Sequence, residues 1–206
     1  TGNPWRRVKA ASALARSIDS GAARERLGAF MFIMEPAVLS ITLAPGRIVL
    51  ARQSMNSTSA FSTISVPAKG KYIFVDFKRF ADSYGVPLNS NPYFPIITTT
   101  LMRMLTGLQM RSDDRIHKFM DVIFKAIWVD ALNLNDPEVV ERVLREAHFD
   151  PAELLLLANE QATKDRLKDV TTQAVDRGVF GAPTFFVGDQ MFWGQDRIEQ
   201  LKTALK

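Results

Sequence analysis

Between residues 67 and 177 the apolar side chains recur at helical spacing almost without a break, and aromatic strand patterns lie only on either side of that block. Upstream, "AFMFIM" and "GRIVLA" have the compact apolar look of strands, with "EPAVLSITLAP" between them, too short for more than a stub of helix. Downstream, "TFFV" and "QMFW" are short aromatic strands joined by Gly188-Asp189, a two-residue hairpin signal. "DRIEQLKTALK" then closes the chain as an amphipathic helix with Ile198, Leu201 and Leu205 on one face. The expected order is strand, short helix, strand, many helices, hairpin, helix. There is no internal repeat and no low-complexity segment.

Within the block, the punctuation is chemical. Pro67 suits a first helical turn, and Tyr72, Phe74, Val75, Phe77, Phe80 and Ala81 follow at helical spacing until Gly85. "NSNPYFP" is a loop, "TTTLMRMLTGLQM" resumes helix, and Ser112-Asp113-Asp114 offers the next helix a favourable start. "NDPEVVERVL" and "FDPAELLLL" share one device, an Asp cap followed by Pro at the first helical position. "EQATKDRLKDVTTQAVDRG" is a further helix, closed at Gly178 by an expected left-handed cap.

Composition narrows the chemistry. The 206 residues contain no cysteine, so no disulfide framework, cysteine zinc site or protein-borne thiol is available. The absence of a long apolar run argues against a membrane span. The net charge of +4 is concentrated in residues 1–52, where eight basic residues face three acids. A basic, Ala/Ser-rich leader of that kind reads either as a targeting segment or as a solvated surface helix or extension. "MNSTSAFSTIS" is a polar loop. The basic charge is not interleaved with aromatics, and no nucleic-acid recognition motif accompanies it. His117 and His148 sit on different segments with no second ligand at metal spacing. Phe119, Ile123, Phe124 and Trp128 recur on one helical face and read as core in preference to a substrate box, and Met102, Met104, Met110 and Met120 as core filling in preference to the lining of an adaptable apolar pocket.

The stretch "GVFGAPTFFVGDQMFWGQDRIEQL", residues 178–201, carries a proline at the hairpin's entrance and an acid at its exit. Pro183 has two readings: a trans proline heading a strand, or a cis Ala182-Pro183 bond. The cis form would leave the backbone of Ala182 free to pair with an extended peptide laid alongside. Asp196 likewise has two, a helix cap with Glu199 three residues on, or a carboxylate holding an ammonium group beside an anion at the helix start.

That stretch resembles the carboxy-terminal signature of 2-hydroxychromene-2-carboxylate isomerases, relatives of kappa-class glutathione transferases within the DsbA-like thioredoxin superfamily. "VPAKGKYIFVDFKRFADSYGVP", "LMRMLTGLQM" and "DPAELLLLANEQATKDRLKDVTTQA" match the same family in order, so the resemblance covers about residues 64–206. It implies an α/β chain, a thioredoxin-like fold with a large all-helical insertion. On that basis residues 1–28 are a basic helical extension, 29–64 and 178–206 the thioredoxin-like domain, and 65–177 the helical insertion. It also implies reduced glutathione as cofactor, with a cis bond at Pro183 and the backbone of Ala182 pairing with the cysteinyl part. Gln195 and Asp196 would take the γ-glutamyl end, and Lys69 the glycine carboxylate. Read without the resemblance, Lys69 is an exposed helix lysine.

The implied reaction is glutathione-dependent isomerisation of a hydroxychromene-type aromatic acid through reversible thiolate addition, in a cytoplasmic homodimer with no membrane or nucleic-acid partner. A kappa-like transferase or a non-catalytic glutathione-binding protein is the alternative. The family opens with a strand ending in Asp-x-x-Ser-Pro; here "FMFIMEPAVLS" puts Glu35 before Pro36, and Ser40 follows it. An asparagine that the family places upstream of "VPAKG" is replaced near Ala60, and its "FPxN" reads "FPII", with Ile97 in the polar position.

Overall fold

The computed structural model describes residues 27–28, 40–44, 47–51, 67–180 and 184–204. Its strands are β1 (Leu27–Gly28), β2 (Ser40–Ala44), β3 (Arg47–Ala51), β4 (Thr184–Val187) and β5 (Gln190–Trp193). Six helices separate β3 from β4: α1 (Pro67–Tyr84), α2 (Thr99–Met110), α3 (Ile116–Trp128), α4 (Pro137–Glu146), α5 (Pro151–Asn159) and α6 (Gln161–Asp176). A 3-10 turn (Gln195–Arg197) leads into the last helix, α7 (Ile198–Ala204).

Two small antiparallel sheets result, one in the order β1-β4-β5 and the other the pair β2-β3. Leu27 and Gly28 pair with Val187 and Phe186, and Thr184 to Val187 pair in turn with Trp193 to Gln190. β3 lies against α6 and α2, and α7 lies against β4. The strand at Ser40–Ala44 departs from the expectation of a helix stub at most: it pairs residue for residue with β3, from Ser40 against Ala51 to Ala44 against Arg47. The sequence S-I-T-L-A alternates with period two, and the Pro45-Gly46 step suits a turn, so pairing wins over helix. The strand read in "AFMFIM" and the polar loop "MNSTSAFSTIS" lie outside the described residues.

The Asp-Pro starts form as the chemistry requires. Asp136 accepts from the Glu138 amide and Asp150 from those of Ala152 and Glu153, each before a proline whose missing N–H costs the helix nothing. α1 ends at Gly85 (φ +64°) and α6 at Gly178 (φ +82°), both left-handed. The start proposed at Ser112-Asp113-Asp114 is corrected. Ser112 takes φ +54°, α3 begins at Ile116, and Asp113 accepts from the Arg115 amide at 2.8 Å and from its guanidinium. Arg115 outcompetes the helix N-terminus for that carboxylate, because a bidentate charged partner binds more strongly than one amide.

The core is built by α2–α6. Met102, Leu105, Leu108, Phe119, Leu144, Leu154, Leu157 and Val170 are buried there, and Phe119 meets Phe149 edge to face at 5.8 Å. α2 and α5 cross so closely that a Cβ at Gly107 would lie 2.9 Å from that of Leu157. The loop before α2 is held from both sides of its polar residues. Asn91 donates to the carbonyls of Ile127 and Leu132, and Asn135 accepts from the Ile97 amide.

One core expectation changes. Met102 and Met104 are buried, but Met110, at the end of α2, is exposed. On α1, Ala81 is buried while Tyr72, Phe74 and Val75 are exposed, so its apolar spacing does not translate into a buried stripe.

Candidate functional site

The β4-β5 hairpin, Thr184–Val187 paired with Gln190–Trp193, forms the middle of the 178–201 signature. Gly188, at φ +58°, supplies the left-handed residue that a tight hairpin turn needs. The resulting register sets Thr184 opposite Trp193. Residue 194 leaves β5 beside Trp193, so the Gly-Gln-Asp step lies at the end of the hairpin where β4 begins.

Between Trp193 and the 3-10 turn stands Gly194, with φ +110°. A Cβ there would collide with the Asp196 carboxylate, and the Gly194 carbonyl accepts from the Arg197 amide at 3.2 Å. Glycine is therefore required by the backbone, while the exposed Asp196 carboxylate that a Cβ would meet can swing aside. The Asp196 side chain is 47% exposed and pairs with Arg197 at 3.2 Å. An exposed ion pair of this kind contributes little to stability and exchanges readily with a ligand. The carboxylate thus stands at the tip of the final helix, open to solvent, with one flexible cationic neighbour.

Among the sequence candidates, Asp196 and the backbone of Gln195 fall together in the 3-10 turn. Ala182 and Pro183, and with them the question of a cis bond, lie outside the described residues, as does the side chain of Gln195. Lys69 is in the first turn of α1, and its side chain is likewise outside the described residues. A cis bond that is described joins Phe94 and Pro95. Ser40 begins β2, paired with Ala51. Ile97 is 75% exposed.

The reading of the signature passed over Gly194, although a glycine two residues before an acid at a strand exit is the pattern of a carboxylate folded back on the chain. It also passed over the aromatic residues flanking the site. Phe180 and Trp193 are each about half exposed and meet with ring centroids 5.1 Å apart. On the same face of the sheet, the Arg177 guanidinium lies 3.6 Å from the ring centroid of buried Phe186. No group of three or more His, Cys, Asp or Glu side chains among the described residues is placed to hold a metal ion. No helix among them is long and apolar enough to cross a membrane.

The order of elements, an antiparallel hairpin followed by a terminal helix, with a helical block inserted ahead of it, is that of a thioredoxin-like fold. The profile of the DSBA-like thioredoxin domain matches residues 36–206. The chain belongs to that family. It is 31% identical over 144 residues to the 2-hydroxychromene-2-carboxylate isomerase of Sphingobium xenophagum, spanning 70% of this chain and 72% of that one. It is 25% identical over 154 residues to glutathione S-transferase kappa 2 of Caenorhabditis elegans, spanning 69% of this chain and 68% of that one. Among solved structures it superposes on a 2-hydroxychromene-2-carboxylate isomerase with a TM-score of 0.60 and 27% identity, covering 73% of this chain and 71% of the other. The thioredoxin-like fold with a helical insertion is therefore established, and its relatives are isomerases and glutathione transferases.

Proposed function

We propose that this chain is a glutathione-dependent isomerase of 2-hydroxychromene-2-carboxylate-type aromatic acids. The observation that carries the reading is the Asp196 carboxylate, exposed at the tip of the final helix, paired with solvent-exposed Arg197, where β5 gives way to the 3-10 turn. The isomerase relatives supply the substrate class, and the kappa-class relative supports the tripeptide cofactor.

The residues present fit glutathione. Asp196 would accept from the γ-glutamyl ammonium, displacing Arg197, and Gln195 would donate to the adjoining carboxylate. The Ala182 backbone, entering β4, would pair with the cysteinyl segment as an added strand does. Lys69 would neutralise the glycine carboxylate. Glutathione held there would supply the thiol that a chain without cysteine lacks, for reversible addition to the conjugated system of the substrate. The homodimer and the cytoplasmic setting belong to the same proposal, as does the division into a thioredoxin-like unit (29–64 and 178–206) and an insertion (65–177).

A second reading, glutathione binding without catalysis, draws on the same region. In the sequence "FMFIMEPAVLS" a carboxylate, Glu35, precedes Pro36 where the family has the hydroxyl that faces sulfur, and negative charge there opposes a thiolate. Calorimetry with reduced glutathione, paired with absorbance of a benzylidenepyruvate, separates the two. Binding with acceleration supports the isomerase; binding alone supports the second reading; absence of binding overturns both. In the Asp196→Asn variant glutathione affinity falls roughly tenfold, the loss expected for one charge-assisted contact, while thermal stability stays within about 2 °C of the parent.

A further inference from the structure

We propose that Arg177, Phe180 and Trp193 form the seat for the aromatic acid itself, with the two rings flanking its ring and the guanidinium taking its carboxylate. The proposal rests on the reading above and names the part of the surface that selects the substrate.

Three observations converge. Phe180 and Trp193 are 54% and 50% exposed, and they touch each other with ring planes tilted by 56°. Two large rings left half in water beside each other are not finished core. Their position is set by the fold: Trp193 ends β5 opposite Thr184, three residues before Asp196, and Phe180 lies three residues before Pro183. Both rings therefore adjoin the strand exit that carries Asp196.

The third observation is charge. Register puts Thr184, Phe186, Met191 and Trp193 on one face of the hairpin, because residues directly opposite share a face. Arg177 stacks on Phe186 on that face and donates from Nη2 to the Gly188 carbonyl at a long 3.4 Å. Phe186, under Arg177, and Trp193 therefore line one face of the hairpin, about one same-face repeat of roughly 7 Å apart along the strands. No carboxylate among the described residues forms an ion pair with Arg177. A planar cation laid flat on a buried ring, with donors still available at its edge, is suited to a planar carboxylate. The size of the patch points to a small ligand. A stable protein interface takes roughly 20–30 residues from each side, whereas a handful of side chains here accommodates one or two fused rings.

The test uses the whole chain without glutathione and compares cinnamate with its neutral amide, cinnamamide, by calorimetry. Cinnamate is expected to bind at least about fivefold more tightly, the discrimination of one exposed charged contact. Arg177→Gln should erase the difference between acid and amide, and Phe180→Ala should weaken both. Cinnamate should also quench the emission that is lost in Trp193→Phe. Equal affinity for acid and amide in the unaltered protein overturns the proposal, as does failure of both probes to bind, the result expected if the patch serves a protein partner. The acid–amide comparison needs no variant, so a folding defect in Arg177→Gln cannot mask the answer. Glutathione titrated into the same sample separates the two claims. Glutathione binding without cinnamate binding sinks the seat alone; cinnamate binding without glutathione binding sinks the cofactor reading and leaves the seat.

Discussion

The helices from Thr99 to Asp176 and the hairpin from Thr184 to Trp193 are built to different specifications. In the helical part each element contributes whole side chains to one continuous core, and Met102, Leu108, Leu144, Leu154 and Val170 are fully buried. In the hairpin β4 is buried from Thr184 to Phe186, while the paired strand leaves Gln190, Met191 and Trp193 exposed. The difference has a physical reading. Stability comes mainly from apolar area removed from water, which the helices supply. The hairpin needs just enough burial on β4 to fix its register, and the outer strand is then free to present side chains. Substitutions in the two regions should therefore separate stability from ligand binding.

Phe119→Ala presses hardest on that contrast. Phe119 is 2% exposed and sits edge to face with Phe149. Its loss leaves a cavity that helices cannot close, at a cost of about 3–5 kcal/mol. Chemical denaturation should show the midpoint fall sharply while the glutathione affinity of the molecules still folded is unchanged. A variant that lost affinity at the same stability would show that the helical block shapes the site directly.

Gly107→Ala is a finer probe of the same packing. The added methyl would meet the Leu157 Cβ at 2.9 Å, and a Cβ cannot rotate away as a side-chain tip can. Alanine gains about 1 kcal/mol of helix propensity over glycine, against an overpacking penalty of roughly 1–3 kcal/mol. A net destabilisation of about 1 kcal/mol is expected, read as a lower denaturation midpoint. Unchanged or increased stability would mean that α2 and α5 slide apart at little cost.

The contrast also explains what was legible in the sequence. Asp136-Pro137 and Asp150-Pro151 start helices because a cap and a ready-made φ act over four residues and need no tertiary help. The hairpin was equally local, since Gly188-Asp189 between two short aromatic runs determines it. β2 was missed because Ile41, Thr42 and Leu43 become a strand only by pairing with β3. α1 formed from Pro67 to Tyr84 as its spacing indicates, but spacing cannot say whether another element covers the face, and Tyr72, Phe74 and Val75 are exposed. For the site, Asp196 was visible as an acid at a strand exit. The meeting of Arg177 with Phe186, nine residues on, was not, because it depends on how α6 hands the chain to β4.

The smallest effect concerns a charge at the edge of the helical part. Asp113 joins α2 to α3, and its carboxylate accepts from the Arg115 Nη2 at 2.6 Å and from the Arg115 amide at 2.8 Å. Hydrogen bonding to the Arg115 side chain holds the Asp113 pKa below its ordinary value; burial works in the opposite direction and loses. A carboxyl group depressed in the folded state binds its proton more readily when unfolded. Its contribution is thus complete above the unfolded pKa, near about 4, and is lost as pH falls through the lower, folded value. Because Arg115 is partly solvated, the pair is expected to contribute about 1 kcal/mol or less. Asp113→Asn should lower stability by that amount at neutral pH, and the gap between variant and parent should close as the solution is acidified below pH about 4. The raised pKa of Arg115 adds nothing to this window, since guanidinium stays protonated throughout it. A gap that persisted undiminished at low pH would show that the Asp113 charge is not what stabilises the joint between α2 and α3.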